Sequence, residues 1–436
     1  MEVDLGGCLA PTAAPGISRE TLERLDGDVA AAHERIKAGR DDSEFGYAAL
    51  NLPRTVDLDA VRGAVAGFEE PGTVLTVGIG GSALGALTIT EALDPDTPHY
   101  ALDNVDPAHT RELLTELDLE RTVIHVVSRS GTTAETLATF LVVREAMADA
   151  GVDWTARTVV TTGAMGPLRR LAEDHDLPVL SVPTGVPGRY AALSTVGLVP
   201  AALCGLDLDA LIDGARSVAE SLTGSLFKCP AYAYGAAAVA LEREGARVHV
   251  KMPYAEPLER YAEWFAQLWA ESLGKDGLGQ VPGRALGATD QHSQLQRYRA
   301  GPADVLVGFV RPRERPSVPI PEPTDEALAY LGDSSLGELL DAELEATAAS
   351  LAEAGRPHLL VEIERLDAFG LGELLYGMQA ATVMAGELLG VNAFDQPAVE
   401  WAKAATRELL GEESTAATRA VDHRPRLWVP RPDRQD

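Results

Sequence analysis

From Thr73 onward the chain alternates short apolar or β-branched runs with longer amphipathic stretches. No other feature limits the possible folds as tightly. The runs Thr73–Val77, His99–Leu102, Thr122–Val127, Thr158–Thr161 and Pro178–Val182 have the length and composition of strands. Strands separated by helix-length segments call for a parallel sheet covered on both faces. A second set follows, with Pro230–Glu244, Arg260–Leu273, Glu338–Ala354 and Phe369–Leu389 read as helices and Val248–Met252, Ala303–Val310 and His358–Ile363 as strands. Arg311–Thr324 is rich in proline and charge and reads as a loop. The predicted organisation is an N-terminal segment 1–54, α/β units at 55–205 and 225–395, and a C-terminal helix and tail at 396–436. In that tail Arg424, Arg426, Arg431 and Arg434 alternate with Pro425, Pro430 and Pro432, which predicts an extended chain.

Two strand-to-helix junctions carry the chemistry. After Thr122–Val127 comes Ser128-Arg129-Ser130-Gly131-Thr132-Thr133-Ala134-Glu135-Thr136. An N-cap needs one hydroxyl. Several hydroxyls, a glycine and a guanidinium at a helix start have the composition of a phosphate cradle, because helix N-termini present N–H groups and partial positive charge. After Thr73–Val77 comes Gly78-Ile79-Gly80-Gly81-Ser82-Ala83-Leu84-Gly85. Gly78, Gly80 and Ala83 satisfy the G-x-G-x-x-G/A dinucleotide pattern, and Asp103 ends the next strand. Against a nicotinamide-dependent dehydrogenase stands the second cradle beside the first. A single sugar phosphate held between Ser82 and the second loop uses both. No G-x-x-x-x-G-K-[ST] loop is present, so a nucleoside triphosphatase is unsupported.

Composition narrows the classes further. A hydrophobic content of 46% supports full cores. No uncharged apolar run reaches the roughly 18 residues of a membrane span, and Met1–Gly7 lacks the basic region of a signal peptide. Cys8, Cys204 and Cys229 are scattered and suit a reducing cytoplasm, with neither a disulfide framework nor a metal site expected. The chain carries 66 acidic residues against 37 Lys plus Arg, a net charge of −29. Such a surface repels nucleic acid and anionic membranes, so neither is an expected partner. Only five of the 37 basic residues are lysine: Lys37, Lys228, Lys251, Lys275 and Lys403. A solvated anionic surface in a high-salt cytoplasm explains this balance, since salt screens self-repulsion.

Six motifs in order give a resemblance. Gly78–Gly85, Ser128–Thr136, Gly188-Arg189, Glu271-Ser272-Leu273-Gly274-Lys275, Gln291-His292-Ser293-Gln294-Leu295-Gln296 and Phe394-Asp395-Gln396-Pro397-Ala398-Val399-Glu400-Trp401-Ala402-Lys403 resemble the hallmark segments of the glucose-6-phosphate isomerase family. The resemblance implies an α/β fold of two sugar-isomerase-type three-layer α/β/α sandwich domains with mainly parallel sheets. It further implies a homodimer and reversible interconversion of glucose 6-phosphate and fructose 6-phosphate through a cis-enediol, with no cofactor. By the same resemblance Glu271 moves the proton between C2 and C1, Arg189 offsets the charge of the enediolate, and His292 and Lys403 serve ring opening, with Glu135 orienting the histidine. Gly81, Ser82, Ser128, Arg129, Ser130, Thr133, Glu135 and Gln396 take substrate-binding positions.

Proton abstraction beside a sugar carbonyl needs a carboxylate tuned toward neutral pH, and the aromatic neighbours Trp264, Phe265 and Trp269 are expected to shield Glu271 from water. The chain departs from the family pattern at several places. Arg129 stands for a usual lysine, Pro187 and Ala191 flank the Gly188-Arg189 segment in place of glycine and serine, Leu273 replaces Asn or Glu, and Ala398 replaces glycine. A bifunctional phosphoglucose/phosphomannose isomerase and a non-catalytic sugar-phosphate-binding regulator are the competing readings. Retention of Glu271, His292 and Lys403 argues against the regulator.

Overall fold

The computed structural model describes residues 1–411. Met1–Phe394 form one compact unit, and a second begins at Asp395. Among the described residues ten strands make two five-stranded sheets. In chain order these are β1 (Glu2–Asp4), β2 (Thr73–Val77), β3 (His99–Leu102), β4 (Thr122–Ser128), β5 (Thr158–Thr162), β6 (Val179–Ser181), β7 (Val248–Pro253), β8 (Val281–Arg284), β9 (Val305–Glu314) and β10 (His358–Arg365).

The first sheet runs β3-β2-β4-β5-β6, all parallel, with Val74 opposite Val123 and Val126 opposite Val160. Every residue of β2, β4 and β5 is buried. Burial on both faces is why these strands read as continuous apolar runs. Two polar pairs lie among them: Thr76 Oγ1 is 2.8 Å from His99 Nε2, and His125 Nε2 is 2.8 Å from Thr161 Oγ1. The chain leaves β2 for β3 on one side and returns to β4 on the other. The crevice at the C-terminal ends of β2 and β4 is therefore a topological switch point, where open α/β sheets place their ligands.

The second sheet runs β1-β10-β9-β7-β8, parallel except for β1. Its switch point falls between β7 and β9, and the helix Glu259–Leu273 follows β7. The two sheets share their largest core, which takes in Val74, Val123 and Val159 of one and Leu306, Leu359 and Val361 of the other. Smaller clusters fill the outer faces, around Phe140 and Met147 for the first sheet and Phe309 and Leu351 for the second.

Two expectations are corrected. The segment 1–54 does not stand outside the sheets: Glu2–Asp4 pairs with β10, Val3 opposite Val361, and the helix Arg19–Asp41 buries Leu25, Val29 and Ile36 in the shared core. Arg311–Glu314 is not loop but the end of β9, where Arg311 and Arg313 pair with Glu362 of β10 at 2.8 and 3.0 Å. Those ion pairs let a charged, proline-bearing stretch continue the sheet. In the second unit Pro397–Leu409 is helical, with proline in its first turn where the missing N–H costs nothing. The arginine- and proline-rich tail expected at Arg424–Arg434 lies outside the described residues. No helix among the described residues is long and apolar enough to cross a membrane.

Candidate active site

The glycine turn after β2 is shaped by close backbone approach. Gly80 has φ of 58°, a left-handed conformation that favours glycine. A Cβ on Gly81 would lie 2.4 Å from the carbonyl carbon of Gly188, so the turn rests directly on the Gly188-Arg189 backbone. A Cβ on Gly78 would lie 3.1 Å from the carbonyl oxygen of Val127, which ties the same turn to the end of β4. Ser82, half-buried, closes the turn just before the helix Leu84–Leu93.

The hydroxyl loop after β4 is held from within. Ser128 is buried; its Oγ accepts from the Gly131 N–H at 3.1 Å and lies 2.9 Å from Thr133 Oγ1. Ser130 Oγ, exposed, accepts from the N–H and the hydroxyl of Thr132 at 3.2 and 3.0 Å, and Thr133 Oγ1 lies 3.4 Å from it. Thr133 occupies the N-cap of the helix Ala134–Asp149 yet makes no side-chain capping bond. The loop is thus more than a helix cap: its hydroxyls organise one another at a helix start whose N–H groups face outward. The Arg129 guanidinium sits 5.2 Å from the centre of the Phe45 ring. Glu135 is half-buried in the first turn of the helix.

Glu271 lies in the last turn of the helix Glu259–Leu273. Its Oε2 accepts from Arg189 Nη1 at 3.2 Å, and its Oε1 accepts from Gln267 Nε2 at 3.0 Å. The Arg189 side chain is 1% exposed and the Glu271 side chain 28%, so a buried cation holds a carboxylate that solvent or substrate can reach. Arg189 also donates from Nε to Ser272 Oγ at 2.8 Å and from Nη2 to the Ala393 carbonyl at 2.7 Å. Tyr190 OH lies 3.0 Å from the same Ser272 Oγ. Pro187, at φ −66° and ψ 150°, leads extended chain into the short turn Gly188–Leu193, and the turn places Arg189 inward.

The aromatic shielding expected for Glu271 is not what the structure shows. Phe265 and Trp269 stack on each other at 5.3 Å and meet the His249 ring at 5.2 and 5.0 Å, while Trp264 packs on Tyr261 at 5.8 Å. The neighbours of the carboxylate are Arg189 and Gln267 instead. Gln267 escaped the sequence reading, although its place four residues before Glu271 puts both on one helix face. It also touches the glycine turn, since a Cβ on Gly80 would lie 3.0 Å from Gln267 Nε2.

The structure therefore brings Gly81, Ser82, Arg189, Gln267 and Glu271 into one contact network, with the Ser128–Thr133 loop joined to it through Gly78 and β4. His292 stands apart. It is exposed in the first turn of the helix Gln291–Ala300, and no hydrogen bond or ion pair links it to Glu271 among the described residues. Gln396 and Lys403 belong to the second unit, where Gln396 immediately precedes the helix Pro397–Leu409 and exposed Lys403 Nζ donates to Glu400 at 2.8 Å.

A family profile described as Phosphoglucose isomerase matches residues 57–280. A probable glucose-6-phosphate isomerase of Natronomonas pharaonis is 65% identical over 411 residues, covering 94% of this chain and 96% of that protein. A second, of Haloarcula marismortui, is 61% identical over 430 residues, covering 98% and 99%. Both relatives come from halophilic archaea, in keeping with the acidic, lysine-poor composition. Among solved structures, a hypothetical protein of Thermus thermophilus is 37% identical with a TM-score of 0.86, covering 94% of this chain and 99% of that one. With a profile spanning both the glycine turn and the hydroxyl loop, and relatives this similar over nearly their whole length, the chain belongs to the phosphoglucose isomerase family.

Proposed function

We propose that this chain interconverts glucose 6-phosphate and fructose 6-phosphate, with Glu271 as the base that carries the proton between C2 and C1. The observation that carries this reading is the Arg189–Glu271 contact at 3.2 Å beneath a glycine turn stacked on Gly188. That arrangement sets a carboxylate and a fixed cation beside two loops suited to a phosphate. The 6-phosphate is held by Ser82, Ser128, Ser130 and Thr133, with Gly81 and Arg129 beside them and Glu135 and Gln396 completing the substrate contacts. With the phosphate anchored, the open-chain carbonyl end reaches Glu271, which removes the C2 proton of the aldose. Negative charge grows on the enediolate oxygen, and Arg189 offsets it without reorganising, because three of its nitrogens are already bonded. A proton then passes from O2 to O1 of the enediol, and returning the carbon-bound proton to C1 gives the ketose; the same steps run backwards.

His292 and Lys403 move the protons of ring opening. We read the active enzyme as a homodimer in which His292 serves the neighbouring chain's site. Its exposed place, unbonded to its own Glu271 among the described residues, supports this. The setting is the cytoplasmic glycolytic and gluconeogenic interconversion. The test is conversion of fructose 6-phosphate to glucose 6-phosphate by purified protein in molar potassium chloride, read through a coupled dehydrogenase. Turnover without added metal or nucleotide is expected. Its absence, with the protein folded, would overturn the reading.

A further inference from the structure

We propose that Lys275 is a positioning residue for Glu271: it clamps the end of the base-bearing helix to the segment Asn392–Phe394, in parallel with Arg189. This rests on Glu271 being the base. Lys275 Nζ donates to the carbonyls of Glu271 at 3.0 Å, Ser272 at 2.8 Å and Asn392 at 2.5 Å. Arg189 spans the same two places through other atoms, the side chains of Glu271 and Ser272 on one side and the Ala393 carbonyl on the other. Two cations thus bridge consecutive residues of the helix end to consecutive residues of one segment. Arg189 grips the side chains and Lys275 the backbone that carries them.

The helix needs such a grip. Its last carbonyls have no partner within the helix, and the chain turns out of it at Gly274, with φ −72° and ψ 69°. A cation at a helix C-terminus also complements the helix dipole. The anchoring segment is itself fixed. The Phe394 N–H donates to Asn392 Oδ1 at 3.0 Å, and the Phe394 ring packs edge-on to Tyr47 at 4.7 Å and tilted against Tyr190 at 5.6 Å. Chemistry accounts for the residue type. The chain uses lysine at only five positions, yet three carbonyls converging on one atom suit a compact ammonium and not a planar guanidinium. Without the clamp the last turn loosens and the carboxylate drifts, and a displacement of about 1 Å can cost roughly a hundredfold in rate.

The test measures kcat and KM for fructose 6-phosphate in molar potassium chloride for Lys275→Met, Lys275→Arg and Glu271→Gln, with melting of each variant. Lys275→Met is expected to lose about ten- to a hundredfold in kcat with KM held within about twofold. Lys275→Arg keeps the charge and is expected to regain less than about a third of wild-type kcat. Wild-type kcat in Lys275→Met, full rescue by arginine, or a loss carried by KM alone would overturn the clamp. If Lys275→Met does not fold, Lys275→Gln takes its place and is read the same way. An active Glu271→Gln would remove the base reading itself, and the clamp with it. An inactive Glu271→Gln beside an active Lys275→Met would remove only the clamp.

Discussion

Arg189 gives each nitrogen of its guanidinium a different partner: a carboxylate, a hydroxyl and a backbone carbonyl. Such bonding leaves the cation little freedom, which is what an electrostatic catalyst requires. The rare lysines show similar constraint. Lys251 is fully buried, donates to Tyr234 OH and Met378 Sδ, and lies 4.2 Å from the centres of the Tyr234 and Phe265 rings. Burial there holds its ammonium far below the usual lysine range. Lys37 and Lys228, by contrast, are exposed. For the phosphate loop, Ser130→Ala with Thr133→Ala is expected to raise KM for the sugar phosphate at least about tenfold, since each lost hydrogen bond to a charged oxygen is worth about 1.5–3 kcal/mol. Unchanged KM and unchanged inhibition by inorganic phosphate would speak against the cradle. Residues inside contiguous motifs, such as Ser128–Glu135 and Glu271–Lys275, were legible because local order displays them. Gln267 was missed because no motif encloses it. The bonds from Arg189 to Ser272 and Ala393 join residues far apart in sequence, and no local pattern encodes them.

The strands and their covering helices were legible because burial on both faces writes itself as apolar runs. β1 and β8 were not. Each is an edge strand of three or four residues, and Val-Pro-Gly-Arg shows no apolar run at all. The first sheet also hides two histidines among its apolar residues. His99 is bonded through both ring nitrogens to Thr76 and Thr90, at 2.8 Å each, and burial lowers it to about 4. Burial lowers His125 to about 3, with the nearby His99 adding to the shift. Both folded-state values lie below the ordinary 6.5, so the native sheet binds fewer protons than the unfolded chain. Their stabilisation is complete above pH 6.5 and is lost as pH falls toward 4, by about 3 kcal/mol for His99 alone. In molar salt, where general charge repulsion is screened, the melting temperature is expected to fall steadily from pH 7 to 4.5, and less steeply in His99→Gln. A flat profile would show that the histidines are not linked to folding.

Across the whole molecule the net charge of −29 must be held together. The Debye length is about 30 Å at 0.01 M salt and about 3 Å at 1 M, so repulsion that spans much of the chain's fold in dilute buffer shrinks to near neighbours in molar salt. Arginine networks do part of the local work: Arg313 bridges Glu2 of β1 to Glu362 of β10, and Arg311 pairs with Glu345 and Glu362 at 2.8 Å each. Melting followed from low to molar potassium chloride is expected to rise strongly; a flat or falling melting temperature would mean the acidic surface is no salt adaptation. At the same scale, the proposed dimer predicts that mixing inactive Glu271→Gln chains with inactive His292→Ala chains restores activity on subunit exchange, because one hybrid site would then combine both intact residues. Light scattering with concurrent assay that found an active monomer would rule this out.

In the proposed mechanism Glu271 moves the carbon-bound proton. The most direct measurement compares wild type with Glu271→Gln for turnover of fructose 6-phosphate and for binding of the same sugar phosphate, both in molar potassium chloride. An amide keeps the shape and one acceptor oxygen, enough for the bond from Arg189, but its NH2 cannot accept from Gln267 and it cannot take the proton. Turnover is expected to fall by about two to four decades while the dissociation constant stays within about threefold. A variant that kept more than about a tenth of wild-type turnover would contradict the account.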